Sequence, residues 1–286
     1  MPDAALIIGG LTIGVSGDRS IGMLMALPGF SVFRTEPSRQ PDLTLRLDAA
    51  LPPAEGEVLH RFVYNGGQCE CRLMATSDGG WSYTFGTGGQ LHIGPDGDAA
   101  CTPLDDPATL RFAAWLAYSM TAAPLGRMPV HSSTVVCQGK AVMCLGESGI
   151  GKSTHTRLWQ QHIEGATLLN DDSPIVAVMP DGSVEVHGSP WSGKAPCFRR
   201  EHFPLAALLR LEQRPENSIR RLGTLEAFMA LQPSCPPAMA HDERLFDRLE
   251  PIISAIIDRT PVYRLGCLPD ADAARLSHST IFPTKN

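Results

Sequence analysis

The chain has 286 residues, 43% of them apolar and 19% charged, with a formal net charge of −6. That length suits one large domain or two ordinary ones, and the apolar fraction supports a sizeable core. The acidic balance argues against nucleic acid as the main ligand, because phosphate-backbone binding needs a basic surface.

Met1 to Gly17 lacks a basic leader and carries Asp3, so it does not read as a secretory signal. No run of about 18 apolar residues occurs, so no membrane span is expected and the cytoplasm is the expected location. Residues 1–104 have strand character. Leu43–Leu47, Val58–Tyr64, Cys69–Ala75, Trp81–Phe85 and Gln90–Ile93 are set off by turn signals at Asn65-Gly66-Gly67, Asp78-Gly79-Gly80, Gly88-Gly89 and Pro95-Asp96-Gly97. Short strands at this spacing predict an antiparallel sheet or sandwich. The eight cysteines are scattered through apolar contexts and read as reduced and buried. Cys69 and Cys71 form a lone C-x-C that suits packing or, less simply, a metal.

The pattern changes near 100–106. Asp106-Pro107 reads as a helix cap followed by proline at the first helical position, opening a helix over 107–121. Strands follow at Ser132–Cys137 and Ala141–Leu145, joined by a Gln138-Gly139 turn. After a glycine-rich loop and a helix to about Ile163 come strands at Thr167–Asn170, Ile175–Met179, Val184–His187 and Ala206–Leu211. Helices are expected over 224–232 and 242–259, a strand at Pro261–Leu265 and a last helix at Asp270–Leu276. The expected division is a β-rich domain over 1–104 and an α/β domain over 105–286.

Gly146-Glu147-Ser148-Gly149-Ile150-Gly151-Lys152-Ser153 satisfies G-x-x-x-x-G-K-[ST] in full, between a strand and a helix-compatible run. Successive backbone N–H groups of such a Walker A loop converge on a phosphate, and the following helix adds its positive end. Lys152 is expected to reach the β- and γ-phosphates and Ser153 to ligate Mg²⁺, with ATP or another nucleoside triphosphate as the ligand. Asp171 and Asp172 end the next strand, where open α/β sheets place ligands. One carboxylate can serve the metal and the other can take a hydroxyl proton; a solvated turn is the plainer reading. His131, the pair Glu185 and His187, the loop Gly188–Lys194 and the Arg220-Arg221 pair each suit a structural role as well as a functional one.

The same residues, in this order, resemble the catalytic domain of HPr kinase/phosphorylase, a P-loop fold related to ATP-dependent phosphoenolpyruvate carboxykinase. The resemblance runs over roughly 131–265. It rests on His131, Gly146–Ser153, Asp171-Asp172, Glu185-Val186-His187-Gly188 and Arg221-Leu222-Gly223, and His131 precedes Lys152 by 21 residues, as in the family. It implies Asp172 as the base, Asp171 as its partner at Mg²⁺, and Ser153 and Glu185 as metal ligands. Lys152 and Arg221 would stabilise charge on the transferring group, and His131 would orient the site. Thr154 stands where the family has glutamate and completes the nucleotide-binding set. The segment from Asp172 to Glu185 is shorter than the family's, and its E-I-R-G loop is replaced, so neither phosphorolysis nor HPr is carried over.

Ser153–Trp159, Asn170-Asp171-Asp172, Ser189-Pro190-Trp191 and Pro261–Leu265 resemble a divergent branch that includes kinases tailoring lasso peptides at a serine. The expectation is an ATP- and Mg²⁺-dependent serine kinase acting on a peptide or protein, with no nucleic-acid or membrane partner. A kinase of free serine-like metabolites and a non-catalytic nucleotide-binding regulator are the alternatives. The oligomeric state is open, a homo-oligomer included, and residues 1–104 are the candidate substrate-recognition domain.

Overall fold

Ala4–Ile8 (β1) and Leu11–Ser16 (β2) open the chain as a hairpin turned by Gly9 and Gly10. The structure is a computed structural model that describes residues 1–64, 69–86, 88–193 and 195–283. The turn expected at Asn65-Gly66-Gly67 lies outside the described residues. Arg34–Thr35 (β3), Leu43–Arg46 (β4), Gly56–Tyr64 (β5), Cys69–Thr76 (β6), Trp81–Phe85 (β7), Gly89–Ile93 (β8) and Ala99–Cys101 (β9) complete a nine-stranded sheet, ordered β3-β1-β2-β4-β9-β8-β7-β6-β5. The expected antiparallel sheet or sandwich is one continuous mixed sheet, because β4 runs parallel to both β2 and β9. Ser20–Ala26 forms α1 and Pro107–Ala122 forms α2. The Asp106 carboxylate caps α2, accepting from Thr109 N at 2.9 Å and Thr109 Oγ1 at 2.6 Å.

By packing the chain divides into Met1–Leu125 with Ala238–Arg248, and Gly126–Pro237 with Leu249–Asn286. The boundary therefore falls after α2, not near 105. This helix buries Leu110, Leu116 and Met120 and packs on the first sheet. The segment Ala238–Arg248 returns to the first unit through Trp81. The Arg244 and Arg248 guanidinium groups lie over that ring, 4.6 and 4.7 Å from its centroid, and its Nε1 donates to Asp242 at 3.2 Å.

The second unit holds Arg127–Pro129 (β10), Ser132–Cys137 (β11), Lys140–Leu145 (β12), Thr167–Asp172 (β13), Ile175–Val178 (β14), Val184–His187 (β15), His202–Gln213 (β16), Ser218–Arg221 (β17) and Val262–Cys267 (β18). The strand order is β10-β14-β15-β16-β12-β11-β13, with β18 on β16 and β17 on β18. Gln138 and Gly139 turn β11 into β12 with φ of 50° and 71°, the pairing a tight hairpin favours. The helices are Lys152–His162 (α3), Thr224–Leu231 (α4), Glu243–Arg259 (α5), which begins in the first unit, and Ala271–Ile281 (α6). The chain is thus a mixed α/β protein with two large sheets. Among the described residues no helix is long and apolar enough to cross a membrane.

Helices α3 and α6 pack together over β11, β12, β16 and β18, burying Val135, Val142, Cys144, Leu158, Trp159, Leu209 and Leu265. His155 lies inside this layer. Its Nε2 accepts from Trp159 Nε1 at 3.1 Å and meets Ser277 Oγ at 3.1 Å. Burial pushes the His155 pKa down from 6.5 to about 4. The native state therefore refuses a proton that the unfolded chain accepts, and stability falls as pH drops from about 6.5 to about 4. Acidifying the wild type through that window should cost up to about 3 kcal/mol from this residue alone. His155→Gln, which cannot titrate, should be less stable at pH 7 yet lose less on acidification, with His187 still contributing in both proteins. Urea midpoints at pH 7 and at the acid end of the window measure the difference.

Candidate functional site

The strand directions bring the sequence-predicted residues together. Ser132 of β11 lies opposite both Leu145 of β12 and Asp172 of β13, and both pairings are antiparallel. The loop after β12, the acids ending β13 and His131 before β11 therefore reach one edge of the sheet. Strand β16 runs parallel to β12 and places Arg210 opposite Leu145 at the same edge.

Gly146 opens the loop at φ 145°, where an added Cβ would sit 2.8 Å from Ile150 Cγ2. A side chain is excluded there by backbone angle and by space. Gly151, at φ 113°, is the cap residue of α3 and offers no side-chain cap, whereas Asp106 caps α2 and Asp270 caps α6. The first helical bond of α3 runs from His155 N to Gly151 O. The N–H groups of Lys152, Ser153 and Thr154 are thus the orphan donors of the helix, an arrangement suited to an anion.

Lys152, 9% exposed, places its three ammonium donors on Gly146 O at 2.7 Å, Glu147 O at 3.2 Å and His131 Nε2 at 3.0 Å. Because His131 Nε2 accepts, the proton of the neutral ring sits on Nδ1, 3.1 Å from Asp172 Oδ1. Burial lowers the Lys152 pKa, opposed by the pull of Asp172, Asp171 and Glu147. Asp171 turns the other way and accepts from Ser153 Oγ at 2.8 Å. Glu147 pairs with Arg210 Nη2 at 2.9 Å. A cavity of about 410 Å³ opens beside the loop, lined by Gly149–Gly151, Thr154, Leu158, Gln213, Arg214, Cys267 and Leu268 among others.

Behind this edge, Asn170 is fully buried. Its Nδ2 reaches Ser189 O at 3.3 Å and Trp191 O at 3.2 Å, and its Oδ1 accepts from Ser173 N at 3.0 Å. Ser192 bridges to Asp172 through the backbone, and Gly193 N donates to Asp171 O. The loop read from sequence as Gly188–Lys194 thus lies along both acids; Lys194 itself falls outside the described residues.

Two of the expected residues stand apart from this group. Arg221 is exposed at the end of β17, three strand positions from β12, or roughly 14 Å by strand spacing. Glu185 turns its carboxylate to His187 and His202. Arg210 and Gln213 stand outside the sequence motifs, whereas Asn170 belongs to the Asn170-Asp171-Asp172 segment. Arg210 carried a signal, as a lone cation inside the apolar run Leu208-Leu209-Arg210-Leu211.

No family model matches the chain, and no curated protein matches it. Among solved structures, the Hpr(Ser) kinase/phosphatase from Coxiella burnetii is similar over 54% of this chain and 87% of its own, at 11% identity and a TM-score of 0.32. The likeness is distant.

Asn170 gives this region a direct test. Asn170→Ala leaves Ser173 N–H and the Ser189 carbonyl buried without their Asn170 partner, at a cost of about 1–3 kcal/mol. The urea midpoint should fall accordingly, and amide exchange should rise in 188–192 while α2 stays protected. An unchanged midpoint would mean the loop is held by other contacts.

Proposed function

We propose that this chain is a kinase that passes the γ-phosphate of ATP, with Mg²⁺, to a serine-type hydroxyl on a peptide or protein. One observation carries the reading. The uncapped N-terminus of α3, the buried Lys152, and the run of polar contacts from Lys152 through His131 to Asp172 share one sheet edge. A phosphate group in the loop would take up the orphan N–H groups and the Lys152 ammonium, which now rests on two loop carbonyls. The cavity beside Thr154 and Leu158 supports a place for the nucleoside. The Glu147–Arg210 pair would hold the loop from its open side.

Mg²⁺ takes hard oxygen ligands, and Ser153 Oγ and Asp171 Oδ1 are such donors beside the loop. They fit the ion and would hold it; when bound it supplies positive charge against the β- and γ-phosphates. Asp172 Oδ1 faces His131, which leaves Oδ2 to take the acceptor's proton. The acceptor oxygen bonds to the γ-phosphorus as the bond to the β–γ bridging oxygen breaks. ADP leaves with that oxygen, and the hydroxyl proton goes to Asp172. Positioning and charge stabilisation would supply most of the rate. Arg221 and Glu185 fall outside this set. The serine-type acceptor rests on the resemblance of the motif set, and the first unit is the proposed recognition domain.

The full chain is incubated with γ-labelled ATP, Mg²⁺ and either serine-containing peptides or free serine. Label on peptide supports the proposal. Label on free serine alone makes the chain a metabolite kinase, and ATP binding without transfer to any acceptor makes it a regulator. Asp172→Asn should keep its affinity for Mg·ATP in calorimetry while single-turnover transfer drops by about 10²–10⁴. Lys152→Ala should lose the phosphate clamp and transfer together, with its melting curve preserved. Full transfer by Asp172→Asn would overturn the proposed base.

A further inference from the structure

A second group of ligating side chains lies on the other strands of the same unit. Glu185 and His187 are two residues apart on β15 and so share a face. His202 of β16 is the register partner of His187, directly across the antiparallel pair. Glu185 Oε2 lies 3.3 Å from His187 Nε2 and 3.0 Å from His202 Nδ1, and the three ligand atoms all fall within 4.8 Å of one another. The two rings stack at 4.9 Å with 15° between their planes. His187 Nε2 is buried, and its contact with Glu185 Oε2 at 3.3 Å falls short of hydrogen-bond geometry. A buried ring nitrogen left in this state costs stability, and a cation between the three groups would relieve it.

We propose that Glu185, His187 and His202 form a binding site for one divalent cation of the zinc class. Two imidazoles and a carboxylate are a borderline donor set, suited to Zn²⁺ and not to Mg²⁺, which prefers oxygen alone. Three protein ligands leave a fourth position open to water. His187 and Glu185 are largely buried and fixed by the strand, while His202 is 60% exposed and already presents its Nδ1 to Glu185. Arg127 stands near His187 as an opposing charge, but its guanidinium is engaged by Val178 O at 3.0 Å and Met179 Sδ. The ion would pin β15 to the start of β16. It would thereby hold the root of the loop that begins at Gly188 and runs along Asp171 and Asp172.

The test uses the full chain, stripped of metal and titrated with Zn²⁺ by calorimetry and with Co²⁺ by visible absorption. One equivalent should bind, with a Co²⁺ spectrum free of thiolate charge transfer, and Zn²⁺ should raise the melting temperature. His202→Ala, at an exposed position, should fold normally and weaken Zn²⁺ by on the order of tenfold or more. It should also abolish the thermal shift. Asp171→Asn should leave Zn²⁺ binding intact. Unchanged Zn²⁺ affinity in His202→Ala, loss of binding in Asp171→Asn, a thiolate band, or no binding at all would each overturn the site.

Discussion

Strand β11 runs against both of its neighbours, and the candidate site depends on that reversal. Strands β12 and β13 flank it and point the same way, so the loop after one and the acids ending the other emerge together, at the edge where β11 begins. Residues distant in sequence become neighbours through backbone pairing alone. The register is enforced from the α3 face. A slip of one residue in β11 would carry Val135 out of the layer under α3 and part Ser133 from Thr156, whose hydroxyls now meet at 2.8 Å. The interior of the unit therefore holds the position of His131 against Lys152 and Asp172.

A buried cation and three acids meet at this edge, and none of the charged groups is left alone. An ammonium taken out of water needs its donors filled. Lys152 fills all three, two on carbonyls of its own loop and one on a ring whose other nitrogen faces a carboxylate. Glu147, on the open side, has Arg210. The helix end is the exception, with donors lacking acceptors and a glycine where α2 and α6 have aspartate. Among the described residues the helix end is therefore the one place at this edge with polarity suited to an anion.

How much of this could be read from sequence depended on whether the signal was local. The glycine-rich loop between β12 and α3, the Asp106-Pro107 helix start and the Gln138-Gly139 turn are carried by adjacent residues and fall where the pattern places them. The β1–β2 hairpin lies in an apolar stretch, where the Gly9-Gly10 turn has no polar flank to set it off. Strand β17 is four polar-leaning residues at a sheet edge, too short to show alternation. The return of Ala238–Arg248 to the first unit rests on Trp81, a contact across 161 residues for Asp242 that no periodicity encodes. Glu185 shows the same limit. Its motif was visible, but its partner His202 is set by strand register, which only the fold reveals.

Adjacent carboxylates at the end of a buried strand would repel if they shared a face. The pleat prevents this, because successive side chains on a strand point to opposite sides. Asp171 goes to the helix side and takes the Ser153 hydroxyl; Asp172 goes to His131. Both remain close enough to Lys152 for its charge to act on each, so one cation serves two acids that do not compete for the same donor. The two environments are different in kind: one acid beside a hydroxyl at the start of α3, the other beside an imidazole along the loop that follows β15. The separation of the two carboxylates thus follows from strand geometry, and it needs two consecutive acids, since a spacer residue would return both carboxylates to one face.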